Sequence, residues 1–171
     1  IDKLIEAGID SFKIEGRAKS IYYVAVVVRA YRKVLDAINK KSPKAKIKKI
    51  VSEQKRELNK LANRGYTTGF LLGGEPNHNI NNDKFGVATK FVGEIEGEEK
   101  GLSLMRVHNQ ISFSDKLEAI DPEKTESVKI KKIYDHKMQE KKEAHGGHNR
   151  RYYFDLDKKL MKRALIRKYL T

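Results

Sequence analysis

Residues 11–20 read SFKIEGRAKS. On an extended chain side chains alternate, so Phe12, Ile14 and Gly16 fall on one side and Lys13, Glu15 and Arg17 on the other. Three charged groups on one face, running straight into an apolar segment, allow two origins. One is a surface strand carrying a salt-bridge ladder. The other is a strand of a polar-lined barrel whose remaining strands lie outside these residues. Before this stretch, residues 3–8 read as a short helix stopped at Gly8. After it, Ser20 can cap a helix running to about Ile38. Ile21, Val24, Val28, Tyr31, Leu35 and Ile38 share one face of that helix. Tyr23, Val26, Val27, Ala30, Val34 and Ala37 widen the face beyond the usual stripe of roughly 100°. A helix this apolar is expected to be covered on more than one side.

Further along, Pro43 suits the first position of a second helix, with Ser42 as its cap. Ile47, Ile50, Val51, Leu58 and Leu61 form its apolar stripe. Lys41, Lys44, Lys48 and Lys55 line one flank, and Lys49, Arg56 and Lys60 the other. Gly65 provides the left-handed stop. Residues 71–85, rich in Gly, Pro and Asn, read as a linker. From residue 86 the period changes to two: Val87, Phe91 and Ile95 alternate with Lys90, Glu94 and Glu96. Short strands follow at 101–109, at 116–120, from Val128 to Tyr134, and around Tyr152, Phe154 and Leu156. Such spacing predicts a small antiparallel barrel or sandwich. The tail KKLMKRALIRKYLT reads as a weak amphipathic segment or a final strand.

Charged residues make up 35% of the 171 residues and hydrophobic ones 39%, a soluble globular composition. No run approaches the roughly 18 apolar residues of a membrane span, and no signal peptide is visible, so a cytoplasmic protein without a membrane partner is expected. With no cysteine, these residues form no disulfide, thiolate metal site or thiol nucleophile. The net charge of +14 is uneven. Residues 1–70 carry 17 Lys and Arg against 7 Asp and Glu, whereas residues 71–157 carry 14 against 16. A basic surface attracts polyanions; a solvated, solubilising face accounts for it equally. Any RNA affinity is expected from the second helix, through Lys44, Lys48 and Lys55, and from the tail. His145 and His148 bracket Gly146–Gly147, and a hairpin turn is a better reading of that pair than a metal site. No metal ligand is assigned.

The phrases Lys-Ile-Glu-Gly-Arg at 13–17, Ser-x-Tyr-Tyr-Val-Ala at 20–25 and Arg-Gly-Tyr-Thr-Thr-Gly-Phe at 64–70 occur together. In combination, over residues 7–38 and 64–73, the sequence resembles the collagenase-like peptidases of family U32, of unknown catalytic type. EAHGGHN and the short-stranded region resemble that family's C-terminal domain. The resemblance implies an α+β chain: a strand and helices ending a TIM-type barrel over 1–70, a linker over 71–85, and a small antiparallel β-barrel over 86–171. It implies that Lys13, Glu15 and Arg17 face the barrel lumen as candidate catalytic residues. Glu15 is then a candidate general acid or base, and Arg17 an anion ligand. Arg64, Tyr66, Thr67 and Thr68 become candidate substrate-binding residues on a returning loop; a helix stop and connector is an equal reading. The expected function is a substrate-presenting or accessory portion of a peptidase, inactive alone. The alternative is the RNA-binding part of a protein that hydroxylates tRNA or rRNA bases. No cofactor is expected within these residues; an iron–sulfur cluster is implied on upstream cysteines. The implied partners are the chain's own catalytic barrel, an RNA or protein substrate, and a second copy as a homodimer.

Overall fold

A computed structural model describes residues 1–71, 73, 88–147 and 150–170. The chain divides into two compact units, Ile1–Gly86 and Val87–Thr171. Apart from Leu71 and Gly73, the expected linker 71–85 lies outside the described residues, as does Val87.

The first unit is helical. α1 (Asp2–Glu6) leads through Gly8, at φ +80°, into residues 9–16, which form neither helix nor strand. The strand expected at 11–15 is therefore absent here, because a strand needs a ladder partner and no described segment supplies one. The alternation nevertheless survives. Phe12, Ile14 and Gly16 are half-buried while Lys13, Glu15 and Arg17 are exposed. Gly16 lies against α2: a Cβ built on it would stand 2.7 Å from Val24 Cγ2.

α2 (Ile21–Asn39) begins as expected, with Ser20 Oγ accepting the Tyr23 N–H at 3.2 Å. Its buried stripe is Tyr22, Val26, Ala30, Val34 and Ala37. The face led by Ile21, Val28 and Tyr31 is the exposed one, so the sequence reading picked the wrong centre on an almost wholly apolar helix. α2 packs on α3 (Lys44–Asn59). Ser42 does not cap α3; Pro43 is the N-cap, in non-helical conformation, and no side chain closes that end. Gln54 occupies the centre of α3's inner face, 8% exposed, and its Oε1 has no donor among the described residues.

The second unit is antiparallel throughout. β1 (Thr89–Glu99), β2 (Leu102–Val107), β4 (Leu117–Ile120), β5 (Thr125–Val128), β6 (Ile130–Tyr134), β7 (Glu140–Lys141), β9 (Arg151–Leu156) and β10 (Leu165–Tyr169) form one sheet in the order β5-β4-β10-β1-β2-β9-β6-β7. β3 (Ile111–Ser112) and β8 (Glu143–Ala144) pair separately. β5 and β6, one residue apart in sequence, lie near opposite ends of this order, so the sheet curls around its core. That core includes Val92, Ile95, Met105, Ile133, Phe154 and Ile166. Among the described residues no ladder joins the ends of this order into the expected ring.

Two local readings change. Val128 and Ile130 do not share one strand: β5 pairs with β4, β6 pairs with β9, and between them the Lys129 N–H is bonded by Asp157 Oδ1 at 2.9 Å. A bulge between Phe91 and Gly93 turns Val92 inward and leaves Phe91 half-buried against the His108 ring. Gly93 sits where a Cβ would meet the Arg106 carbonyl oxygen at 2.7 Å. The tail is the final strand, the second of its two readings. β10 lies between β4 and β1, and its Arg167 is fully buried on Glu118, with Nε donating to Oε2 at 2.8 Å.

Candidate functional site

Lys13, Glu15 and Arg17 form a short exposed row ahead of α2. Glu15 turns back on its own backbone, its Oε1 accepting the Arg17 N–H at 2.9 Å. An exposed carboxylate tied into a local turn is not poised for proton transfer in this chain by itself. It would need a further wall of a site to exclude water and strengthen its electrostatics.

The loop after α3 does return toward the end of this segment. Asn63 organises it: Oδ1 accepts the Gly65 N–H at 2.9 Å and Nδ2 donates to the Leu61 carbonyl at 2.8 Å, with Gly65 at φ +96°. Arg64 and Tyr66 then line a cleft of about 580 Å³ together with Lys19 and Tyr23 at the start of α2. Lys19 Nζ lies 5.2 Å from the Tyr23 ring centre, a cation–π contact. Tyr66 donates its hydroxyl to the Leu58 carbonyl at 2.7 Å. Partial burial, followed by the nearby phenols of Tyr23 and Tyr31, holds that hydroxyl above the usual tyrosine range, so it stays a proton donor. Thr67 and Thr68 are not in the lining; Thr67 Oγ1 instead accepts the Gly69 N–H at 3.0 Å. The structure thus brings Arg64 and Tyr66 to Lys19 and Tyr23, two residues the sequence reading did not select. Their signal was positional: both lie in the first residues around the Ser20 cap.

On α3, Lys44, Lys48 and Lys55 are all exposed. At 100° per residue they fall within about 40° of one another, a single row spanning roughly 16 Å of helix. The row flanks the buried stripe without entering it, so the lysines can reach phosphates while the packing against α2 stays intact.

The second unit corrects two expectations. β8 and β9, the strands on either side of His145, do not form a hairpin with each other: β8 pairs with β3, and β9 with β2 and β6. His145 Nε2 lies 3.5 Å from Glu143 Oε2, and His148 lies outside the described residues. The tail's cations are mostly engaged: Lys158 with Glu126, Lys159 with Glu98, Arg167 with Glu118 and Lys168 with Asp115. A tail so paired is a poor polyanion strap. Across β1, β2 and β9, Glu96 receives Arg106 and Arg151 together. The Arg151 hydrogen bond foremost, with Arg106 assisting, holds the Glu96 carboxyl below its ordinary range despite partial burial. No helix among the described residues is long and apolar enough to cross a membrane.

Comparison with known proteins follows the two-unit division. Residues 1–81 match the family described as peptidase family U32, and residues 88–167 match the peptidase family U32 C-terminal domain. Over 128 residues the chain is 37% identical to tRNA hydroxylation protein P of Escherichia coli, covering 72% of this chain and 27% of that protein. The tRNA hydroxylation protein P of Haemophilus influenzae is 34% identical over 80% of this chain and 30% of its own length. Uncharacterized protease MJ0090 of Methanocaldococcus jannaschii is 33% identical over 76% of this chain and 28% of its own. The chain therefore spans under a third of the length of these curated relatives. Among solved structures, the C-terminal domain of a U32 peptidase of Geobacillus thermoleovorans overlaps 47% of this chain and 93% of its own, with 23% identity and a TM-score of 0.42. With family matches running through both units, the chain belongs to peptidase family U32.

Proposed function

We propose that this chain is an RNA-binding, substrate-presenting part of a tRNA hydroxylation protein. The observation that carries the reading is the 37% identity to tRNA hydroxylation protein P of Escherichia coli over 72% of the chain. The charge of the first unit supports it, as does the exposed Lys44, Lys48 and Lys55 row on α3. Phosphate contacts of this kind position a folded RNA without reading its sequence. In this reading the catalytic chemistry belongs to other parts of the intact protein. Lys13, Glu15 and Arg17 join a complete site only there, and the Arg64–Tyr66 cleft holds RNA near it. The likeness to MJ0090 favours a second reading, a peptidase accessory portion.

Binding of unmodified tRNA to the full chain, followed across a salt series, tests the proposal. Reversing Lys44, Lys48 and Lys55 to Glu is expected to weaken binding about tenfold or more. The slope of log affinity against log salt should fall by roughly two, at about 0.7 per lost contact. Absent or salt-independent binding overturns the RNA reading, whereas salt-sensitive binding indifferent to the reversals removes only the α3 row from it. The chain alone is expected not to hydrolyse gelatin; hydrolysis at constant specific activity through purification would overturn both readings, since each makes the chain an accessory portion.

A further inference from the structure

The second unit contains a cleft of about 890 Å³ between the turn after β6, the β7–β8 segment and the start of β9. Four cations face it: Lys141, Lys142, Arg150 and Arg151. Two carboxylates share the wall, and both are engaged. Asp135 bonds Lys141 at 3.1 Å and accepts the backbone N–H groups of Lys137 and Gln139. Glu143 accepts Gln110 Nε2 at 2.7 Å and lies near His145. Arg151 is held by Glu96. Lys142 and Arg150 remain, exposed and with no ion-pair partner among the described residues.

The Lys142 carbonyl accepts the Phe113 N–H at 3.2 Å. A Cβ on Gly146 would lie 2.2 Å from the His108 carbonyl oxygen, so Gly146 is seated directly beyond the end of β2. The Val107 N–H donates to the Arg150 carbonyl at 2.9 Å. The rings of His136 and Tyr152 lie in the same wall. Cations interleaved with flat rings in an open groove are what single-stranded nucleic acid uses. The near-neutral charge of residues 71–157 concealed this convergence, because the two carboxylates in the wall are engaged and other acids of the block, such as Glu96 and Glu118, are held in cross-strand pairs.

We propose that this cleft is a second RNA-contacting site, at which Lys142 and Arg150 neutralise successive phosphates of a single-stranded segment. It takes the identity of the polyanion from the RNA reading above but depends on no residue of α3.

The test uses the full chain and a fluorescein-labelled single-stranded RNA 12-mer, read by anisotropy across a potassium chloride series. Lys142→Glu with Arg150→Glu is made in the parent and in the chain already reversed at Lys44, Lys48 and Lys55. In both backgrounds affinity is expected to fall about tenfold and the salt slope by roughly 1.4, two contacts at about 0.7 each. The charge-conserving pair Lys142→Arg with Arg150→Lys should stay within about threefold of its background, since a diffuse phosphate contact needs charge more than fork geometry. Should the Glu pair unfold by circular dichroism, the Gln pair replaces it with the same slope readout. Unchanged affinity and slope in both backgrounds, or an equal loss from the charge-conserving pair, overturns the proposal. If the cleft reversals weaken binding while the α3 reversals do not, the α3 surface fails and the cleft stands; the converse removes the cleft alone.

Discussion

Gly146 and Gly97 are both glycines of the curled sheet unit, and their surroundings differ completely. A methyl group on Gly146 would collide with the backbone of His108 and Asn109, which cannot swing aside as a flexible side chain can. Gly146→Ala is therefore expected to destabilise the unit by about 1–3 kcal/mol in urea unfolding. Gly97 has open space where its Cβ would be, so Gly97→Ala should stay within about 0.5 kcal/mol of the parent. Glu96 makes the complementary point for charge. Its folded-state carboxyl is held below the ordinary value of 4.5, chiefly by Arg151. Its stabilising contribution is therefore complete above that ordinary value and disappears as the pH falls through the depressed one. Glu96→Gln should lower the unfolding midpoint at pH 7, and the gap to the parent should close as the pH is taken below 4.5. A gap that stays constant into acid would show that the arginines do not bind the charged form preferentially.

At the scale of elements, the C-terminus of α2 is closed by a Schellman motif built without glycine. Ser42 N–H reaches the Ala37 carbonyl and Lys41 N–H the Ile38 carbonyl, while Lys41 sits at φ +51°. Glycine relieves that left-handed strain, so Lys41→Gly is expected to raise stability by about 0.5–1 kcal/mol, measured as a shift in thermal midpoint. Local signals of this kind were the ones legible in the sequence. The Ser20 cap, the span of α2, the body of α3 and the left-handed Gly65 all depend on residues within a turn or two of each other. What the sequence reading misplaced depends on distant partners. α2 is apolar nearly all round, so only α3 could decide that Tyr22, Val26 and Ala30 face inward. The 11–15 segment keeps its alternation yet pairs with nothing, since no neighbouring strand is among the described residues. Val92 exchanges places with Phe91 because β1 must hold β10 and β2 in different registers around Gly93. The Lys19–Tyr23–Arg64–Tyr66 cleft joins segments some forty residues apart, and no local period marks it.

For the whole molecule, charge is informative only after the fold has sorted it. The tail, the most one-sided stretch of the sequence, contributes Arg167 and Lys168 to pairs with Glu118 and Asp115, whereas the balanced block before it leaves Lys142 and Arg150 facing a groove. The two units thereby present separate basic surfaces, one on a helix and one on a sheet. The pairing of β1 with β10 has a different consequence. Leu170 N–H donates to the Ala88 carbonyl at 2.9 Å, and Thr89 stands opposite Tyr169. The sheet unit's entrance and exit are thus neighbours, and such an arrangement tolerates re-cutting. Its beginning and end can be fused and a new break made at the Lys100–Gly101 turn without disturbing a ladder. The unit is therefore expected to tolerate grafting into the loop of another protein through one narrow gap.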